Sequence, residues 1–160
     1  MRILVISDTH IPRSSQDLPE IIYKETENVD MILHAGDFVE KDLLEKLKSL
    51  RETRAVCGNM DSGELRHILN PKEIITVGKF KIGLIHGYGA PANLVETVRS
   101  EFKGVDAIVF GHSHSSLNMV KDGVLFFNPG SPTDKIFARS NSYGILEVTD
   151  KKIEGTILKL

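Results

Sequence analysis

An α/β fold is predicted by three features of the sequence. Short β-branched runs recur through the first two thirds of the chain, helical patterns lie between them, and the last third turns to short strands joined by tight turns. Ile3–Ser7 opens the series as a continuous apolar run, the pattern of a strand buried on both faces. Asp30–Asp37, Thr53–Asn59, Lys81–Gly87 and Asp106–His112 have the same form. Leu18–Asn28 reads as a helix after a proline-containing loop. Glu40–Leu50 sets Leu43, Leu44, Leu47 and Leu50 on one stripe, and Ala90–Phe102 does so with Leu94, Val95, Val98 and Phe102. This alternation predicts right-handed βαβ units with helices outside a mostly parallel sheet. The late runs LNMV, GVLFFN, SYGILEV and KIEGTILKL, with turns such as Asp122-Gly123 and Asp150-Lys151, predict a second, more antiparallel sheet.

The totals bound the function. A chain of 160 residues is expected to form one domain with a real core. A net charge of −2 with no block of lysines and arginines argues against long nucleic acids or an anionic membrane as the main partner. One cysteine, Cys57, allows no internal disulfide and no Cys-x-x-Cys zinc site, which fits a reducing cytoplasm. The N-terminal apolar run is too short for a signal peptide, and no run approaches the roughly 20 residues that span a bilayer. The expectation is a soluble cytoplasmic protein, with homo-oligomerisation left open.

Chemistry collects where the strands end. Each parallel-type strand is followed by glycine or a polar residue and then a ligand-type side chain: Asp8 and His10, Asp37, Asn59, His86, and His112 and His114. In an open α/β sheet, ligands bind outside the carboxyl ends of the strands, so residues scattered over the chain should meet in one crevice. A lone histidine or aspartate at such a place is usually a core or capping residue. Independent caps have no reason to fall at successive strand ends in this order. Mixed nitrogen and oxygen donors suit Mn²⁺, Ni²⁺, Fe²⁺, Co²⁺ or Zn²⁺. Seven donors exceed one tetrahedral site and suit two metals sharing a carboxylate. His34, inside a strand, is expected to be a hydrogen-bonded core residue, and His67 a surface one.

The ordered set DTH, GD, GNMD, HG, GHSH and NPGS resembles the calcineurin-like metallophosphoesterases, and within them the small single-domain YfcE-type phosphodiesterase branch. The resemblance spans roughly Met1 to Val148. It implies a four-layer αββα sandwich, two mixed β-sheets flanked by helices. It implies two divalent ions per chain, Mn²⁺ first among the candidates. Asp8, His10 and His114 would bind one ion, Asn59, His86 and His112 the other, and Asp37 both. The implied reaction is attack of a metal-bound hydroxide on a small phosphodiester. The alternative is a catalytically weak metal-binding scaffold resembling the retromer subunit of the same fold; that scaffold departs from the family at the asparagine and at site histidines, all present here.

The sequence departs from larger family members at Met60, where they carry a histidine thought to protonate the leaving group. Asp61 is then expected to be a helix N-cap, with Glu64 completing a capping box. Asn128 is expected to orient ligands of the first metal. Arg13 and Arg139 are the candidate phosphate contacts, Tyr88 a candidate pocket wall, and Cys57 an inert core thiol.

Overall fold

The structure, a computed structural model, describes residues 1–160. The chain begins with β1 (Arg2–Ile6), α1 (Glu20–Thr26), β2 (Met31–His34), α2 (Lys41–Leu50) and β3 (Glu52–Ala55). It continues through α3 (Gly63–Ile68), β4 (Lys72–Val77), β5 (Phe80–Ile85), α4 (Leu94–Ser100) and β6 (Ala107–Val109). The hairpins β7 (Leu117–Lys121) with β8 (Val124–Asn128), and β9 (Ser142–Val148) with β10 (Ile153–Lys159), complete it. Two mixed five-stranded sheets result, in the orders β10-β9-β1-β2-β3 and β4-β5-β6-β8-β7. No helix is long and apolar enough to cross a membrane.

Alternation along the strands explains the four layers. Ile3 and Val5 of β1 point between the sheets, into a core shared with Leu84, Val109 and Phe127. Leu4 and Ile6 point the other way, onto Ile22, Leu43 and Leu47 of α1 and α2. In β6, Ala107 and Val109 face the sandwich interior while Ile108 packs on Leu94 and Val98 of α4. Both faces of these strands are therefore covered, and the runs read as continuously apolar. Each such side chain contributes roughly 1.5–3 kcal/mol through burial.

The partition of strands corrects the sequence reading. β5 and β6 do not extend the sheet of β1, β2 and β3; they form the centre of the second sheet, and β9 and β10 return to the first. The cause is β4, which the sequence reading missed. It pairs antiparallel with β5 across a tight turn at Gly78 and so starts a new sheet. Gly144 of β9 and Gly155 of β10 then leave room for the Phe127 ring from the opposite sheet; a Cβ at either position would overlap it. The helices are also shorter than predicted. Pro19 stands at the N-cap of α1, and a 3₁₀ turn at Pro91–Asn93 precedes α4.

Candidate metal centre

The loops after β1, β2, β3, β5 and β6 meet at one edge of the sandwich. Backbone bonds stitch them together: Asp8 N–H donates to Gly36 O at 3.0 Å, His10 N–H to Asp37 O at 2.9 Å, and Gly111 N–H to His86 O at 3.0 Å. The loops approach so closely that a Cβ at Gly111 would overlap Ser7 Oγ, and one at Gly36 would lie 2.8 Å from Gly58 N.

All seven residues singled out in the sequence come together here. His114 Nε2 lies 3.3 Å from Asp8 Oδ1 and 3.2 Å from His10 Nε2. His86 Nε2 lies 3.1 Å from Asn59 Oδ1, and His112 Nδ1 lies 3.2 Å from the same oxygen. Asp37 stands between the two groups, its Oδ2 3.6 Å from His10 Nε2 and 3.4 Å from His86 Nε2. Asp8, Asp37 and His86 are buried, and no lysine or arginine pairs with either carboxylate.

The backbone is strained at the same place. Asp8, His10, Asp37, His112 and His114 have positive φ, at 54°, 47°, 60°, 68° and 55°. Non-glycine residues in this region cost on the order of 1 kcal/mol or more each and persist where the surroundings over-determine them. Sequence pattern carries no sign of this conformation.

Hydrogen bonds outside the cluster fix the rings. His86 Nδ1–H donates to Ala35 O at 2.7 Å, His112 Nε2–H to Gly89 O at 3.0 Å, and His114 Nδ1–H to Asp134 Oδ2 at 2.8 Å. Each acceptor can only accept, so each ring turns its other nitrogen toward the cluster. Without a cation, the cluster-facing nitrogens of His86 and His114 take up a proton to face the carboxylates. For His114, burial works against the charge, but the hydrogen bond and charge of Asp8, with help from Asp134, overcome it and raise its pKa to about 9. His86 is likewise opposed by burial, yet Asp37 and Asp8 raise it to about 8. In His10 burial prevails and the pKa falls, despite Asp37 and Asp8 nearby.

Several neighbours act on this cluster. Asn128 Nδ2–H donates to Gly111 O at 2.8 Å and to Ser113 Oγ at 3.1 Å, holding the loop that carries both histidines of GHSH. His34 is a satisfied core residue: Nδ1 accepts from Gly36 N–H at 3.1 Å, Nε2–H meets Thr9 Oγ1 at 3.1 Å, and Phe38 stacks on the ring. Burial keeps it neutral, well below its ordinary pKa. His67 lies on α3 and is exposed.

Three expectations are corrected. Asp61 does not cap α3; Ser62 does, accepting from Leu65 N–H. The Asp61 carboxylate is buried and accepts backbone N–H bonds from Gly58 at 2.7 Å, Val39 at 2.8 Å and Asp37 at 3.2 Å, tying two ligand loops together. Cys57 is not in the core. It is half-buried beyond the end of β3 and lines a cleft of about 240 Å³ with Lys72, Tyr88 and Glu101. Burial pushes its thiol pKa up, so it stays protonated at neutral pH. Tyr88 lines that side cleft, where its hydroxyl donates to Glu101 at 2.7 Å.

The main cavity, about 440 Å³, opens above the cluster. His10, Asp37, Asn59, His112 and His114 form its floor, and Arg13 and Met60 stand on its wall. Arg139 is exposed and is not part of that wall. Asp134, which the sequence reading did not single out, also lines it. Its signal was available: SPTD follows NPG directly, placing a carboxylate at the end of a turn already tied to the ligand loops. Ser131 Oγ–H, in that turn, donates to Asp8 O at 2.7 Å.

Fold and site together define a class. The chain belongs to the calcineurin-like phosphoesterase superfamily, whose domain model matches residues 1–151. It is 40% identical over 136 residues to a probable metallophosphoesterase of Methanocaldococcus jannaschii, covering 83% of this chain and 69% of that one. A probable metallophosphoesterase of Methanothermobacter thermautotrophicus is 34% identical over 164 residues, covering 99% of this chain and 92% of that one. Among solved structures, Vps29 of Entamoeba histolytica complexed with Zn²⁺ matches with a TM-score of 0.74 and 26% identity, over 99% of each chain.

Proposed function

We propose that this protein is a metal-dependent phosphodiesterase that hydrolyses small phosphodiesters. It would use two divalent ions, Mn²⁺ first, with Ni²⁺, Fe²⁺, Co²⁺ or Zn²⁺ as alternatives. Asp8, His10 and His114 would hold one ion, Asn59, His86 and His112 the other, and Asp37 both. The observation that carries this reading is the fixed orientation of His86, His112 and His114. Each gives one N–H to an acceptor outside the cluster and aims its other nitrogen at a shared group of oxygens. Second partners of this kind are what metal-ligating histidines have.

Donors within 4.8 Å of one another form two overlapping sets, Asp8 with His10 and His114, and Asp8 with Asp37 and His86. Asp8 therefore competes for the bridging role. Asp37 is the better bridge, because its Oδ2 is nearer His86, at 3.4 Å, than Asp8 Oδ1 is, at 3.9 Å, and it also faces His10.

Bound ions would supply Lewis acidity toward phosphoryl oxygens and lower the pKa of water. The chain's own part is to hold the donors rigid, to offer Arg13 to the phosphate from the wall, and to confine the substrate in a partly dry cavity. Elemental analysis of protein purified without chelator should find two divalent ions per chain. Hydrolysis of bis(p-nitrophenyl) phosphate should stop on chelation and return with Mn²⁺. Full turnover after exhaustive chelation would overturn the proposal.

A second reading is a metal-binding scaffold. The likeness to Vps29 in its Zn²⁺ complex favours it. Metal binding without turnover on any phosphodiester would select this reading.

A further inference from the structure

The wall of the main cavity is not built like its floor. Met60, Pro91, Ile136 and Phe137 rise around the donor cluster, and Ile136 and Phe137 are 81% and 71% exposed. Exposed apolar side chains at a cavity mouth lose nothing by solvent exclusion and gain when a ligand covers them. The loop that carries them is held to the floor. Asp134 accepts the backbone N–H groups of Ile136 at 2.9 Å, Phe137 at 2.9 Å and Ala138 at 2.6 Å, while its Oδ2 also accepts the hydrogen bond of His114 Nδ1–H. The Phe137 ring meets the His114 ring edge-on, with centroids 5.6 Å apart. The apolar lip thus stands at a fixed height above the place where a phosphate would sit.

We propose that this lip is a subsite for an apolar, aryl-type substituent of the phosphoester, carried chiefly by Phe137 and Ile136. The inference rests on the phosphoesterase reading, since it is the charged floor that fixes the phosphate end. A cavity of about 440 Å³ holds much more than a phosphate group and leaves room for a substituent beside it. Above the floor, the polar side chains are Arg13, Ser14, Ser113 and Asp134, the last already bonded to His114 and three backbone N–H groups, beside four apolar ones. That lining suits a hydrocarbon ring better than a nucleobase, whose edge needs paired donors and acceptors.

The test uses two phosphonates that differ only in the substituent, phenylphosphonate and methylphosphonate. Neither has a leaving group, so binding to Mn²⁺-loaded protein is read by calorimetry without turnover. Phenylphosphonate should bind on the order of tenfold more tightly, as expected for covering part of one ring. Phe137→Ala and Ile136→Ala together should bring the ratio close to one. Both positions are exposed, and an unchanged thermal melt shows that the variant is folded. Equal affinities in the wild type, or a preference that survives the double substitution, would overturn the aryl subsite and leave the phosphoesterase reading standing. If neither phosphonate bound, the phosphate-binding floor itself would be refuted, and the subsite with it.

Discussion

Asp134 holds His114 and the cavity lip with one carboxylate. Its Oδ2 lies 2.8 Å from His114 Nδ1 and also accepts the N–H groups of Phe137 and Ala138. Burial opposes the charge, but the hydrogen bond from His114 and the backbone donors outweigh it and hold the Asp134 pKa below the usual carboxylate range. Carboxylates in this position orient a ligand ring and raise its basicity. Asp134→Ala should therefore weaken the affinity of the first metal about 10–100-fold while the second ion stays bound. Titration of the metal-free variant with Mn²⁺, followed by calorimetry, checks this. Two sites of unchanged affinity would show that Asp134 serves only the loop.

Asp37 and Asp8 make a second, contrasting pair. If Asp37 contacts both ions, Asp37→Ala should lose metal at both sites and nearly all turnover. His114→Ala should lower occupancy mainly at one site. Elemental analysis after desalting separates these outcomes. Should Asp8→Ala empty both sites while Asp37→Ala empties one, the bridge belongs to Asp8.

Proton linkage gives a third prediction, with a definite sign. His114 and His86 are raised to about 9 and about 8 in the metal-free fold, against about 6.5 in an unfolded chain. The folded protein then binds more protons than the unfolded chain across this window. Their contribution to stability is fully present below about pH 6.5 and is lost as pH rises through 8 and 9. Metal affinity runs the other way, because those protons must leave before the rings can bind an ion. Melting temperatures in EDTA should fall from about pH 6 to about pH 9, while the added stabilisation by Mn²⁺ should grow. Parallel pH curves with and without metal would refute this linkage.

The depth to which sequence could be read has physical causes. The seven donors were legible because each follows an apolar run that had to be a buried strand, and strand ends in such folds converge. The strands of Lys81–Gly87 and Asp106–His112 were legible as elements but not as members of the second sheet. Their apolar pattern reports burial on two faces, not which neighbour supplies the hydrogen bonds. Lys72–Val77 escaped notice because Ile74 is half exposed at the sheet edge and blurs the alternation. Asp61 looked like a cap since a carboxylate before Ser-Gly-Glu fits that local pattern. Besides nearby Gly58, its partners are Asp37 and Val39, which lie more than 20 positions away and leave no local trace. Asp and His tolerate positive φ better than most residues, but that tolerance does not require it; at these five donors tertiary packing over-determines it.

Met60 sets the last prediction. Its backbone N–H donates to Asp37 Oδ1 at 2.7 Å, and its side chain, 40% exposed, lines the cavity. A thioether has no proton to give a departing oxygen. The developing negative charge on the leaving group then goes unmet by this side chain, so kcat/KM should depend steeply on leaving-group pKa. A series of aryl methyl phosphodiesters of graded phenol acidity measures that slope. Met60→His should flatten it, with the gain largest for the poorest leaving group and bounded by the roughly 10²–10⁴-fold contribution typical of general acids. The imidazole would stand beside Asp61, but that carboxylate already accepts from Gly58, Val39 and Asp37, so it is not free to orient the new ring. The gain should therefore fall toward the lower part of the range. The decisive observation is the wild-type slope: a flat dependence, with the chemical step shown to limit the rate, would mean that another group donates the proton. Arg13 and the histidines of the cavity floor would be the ones to substitute next.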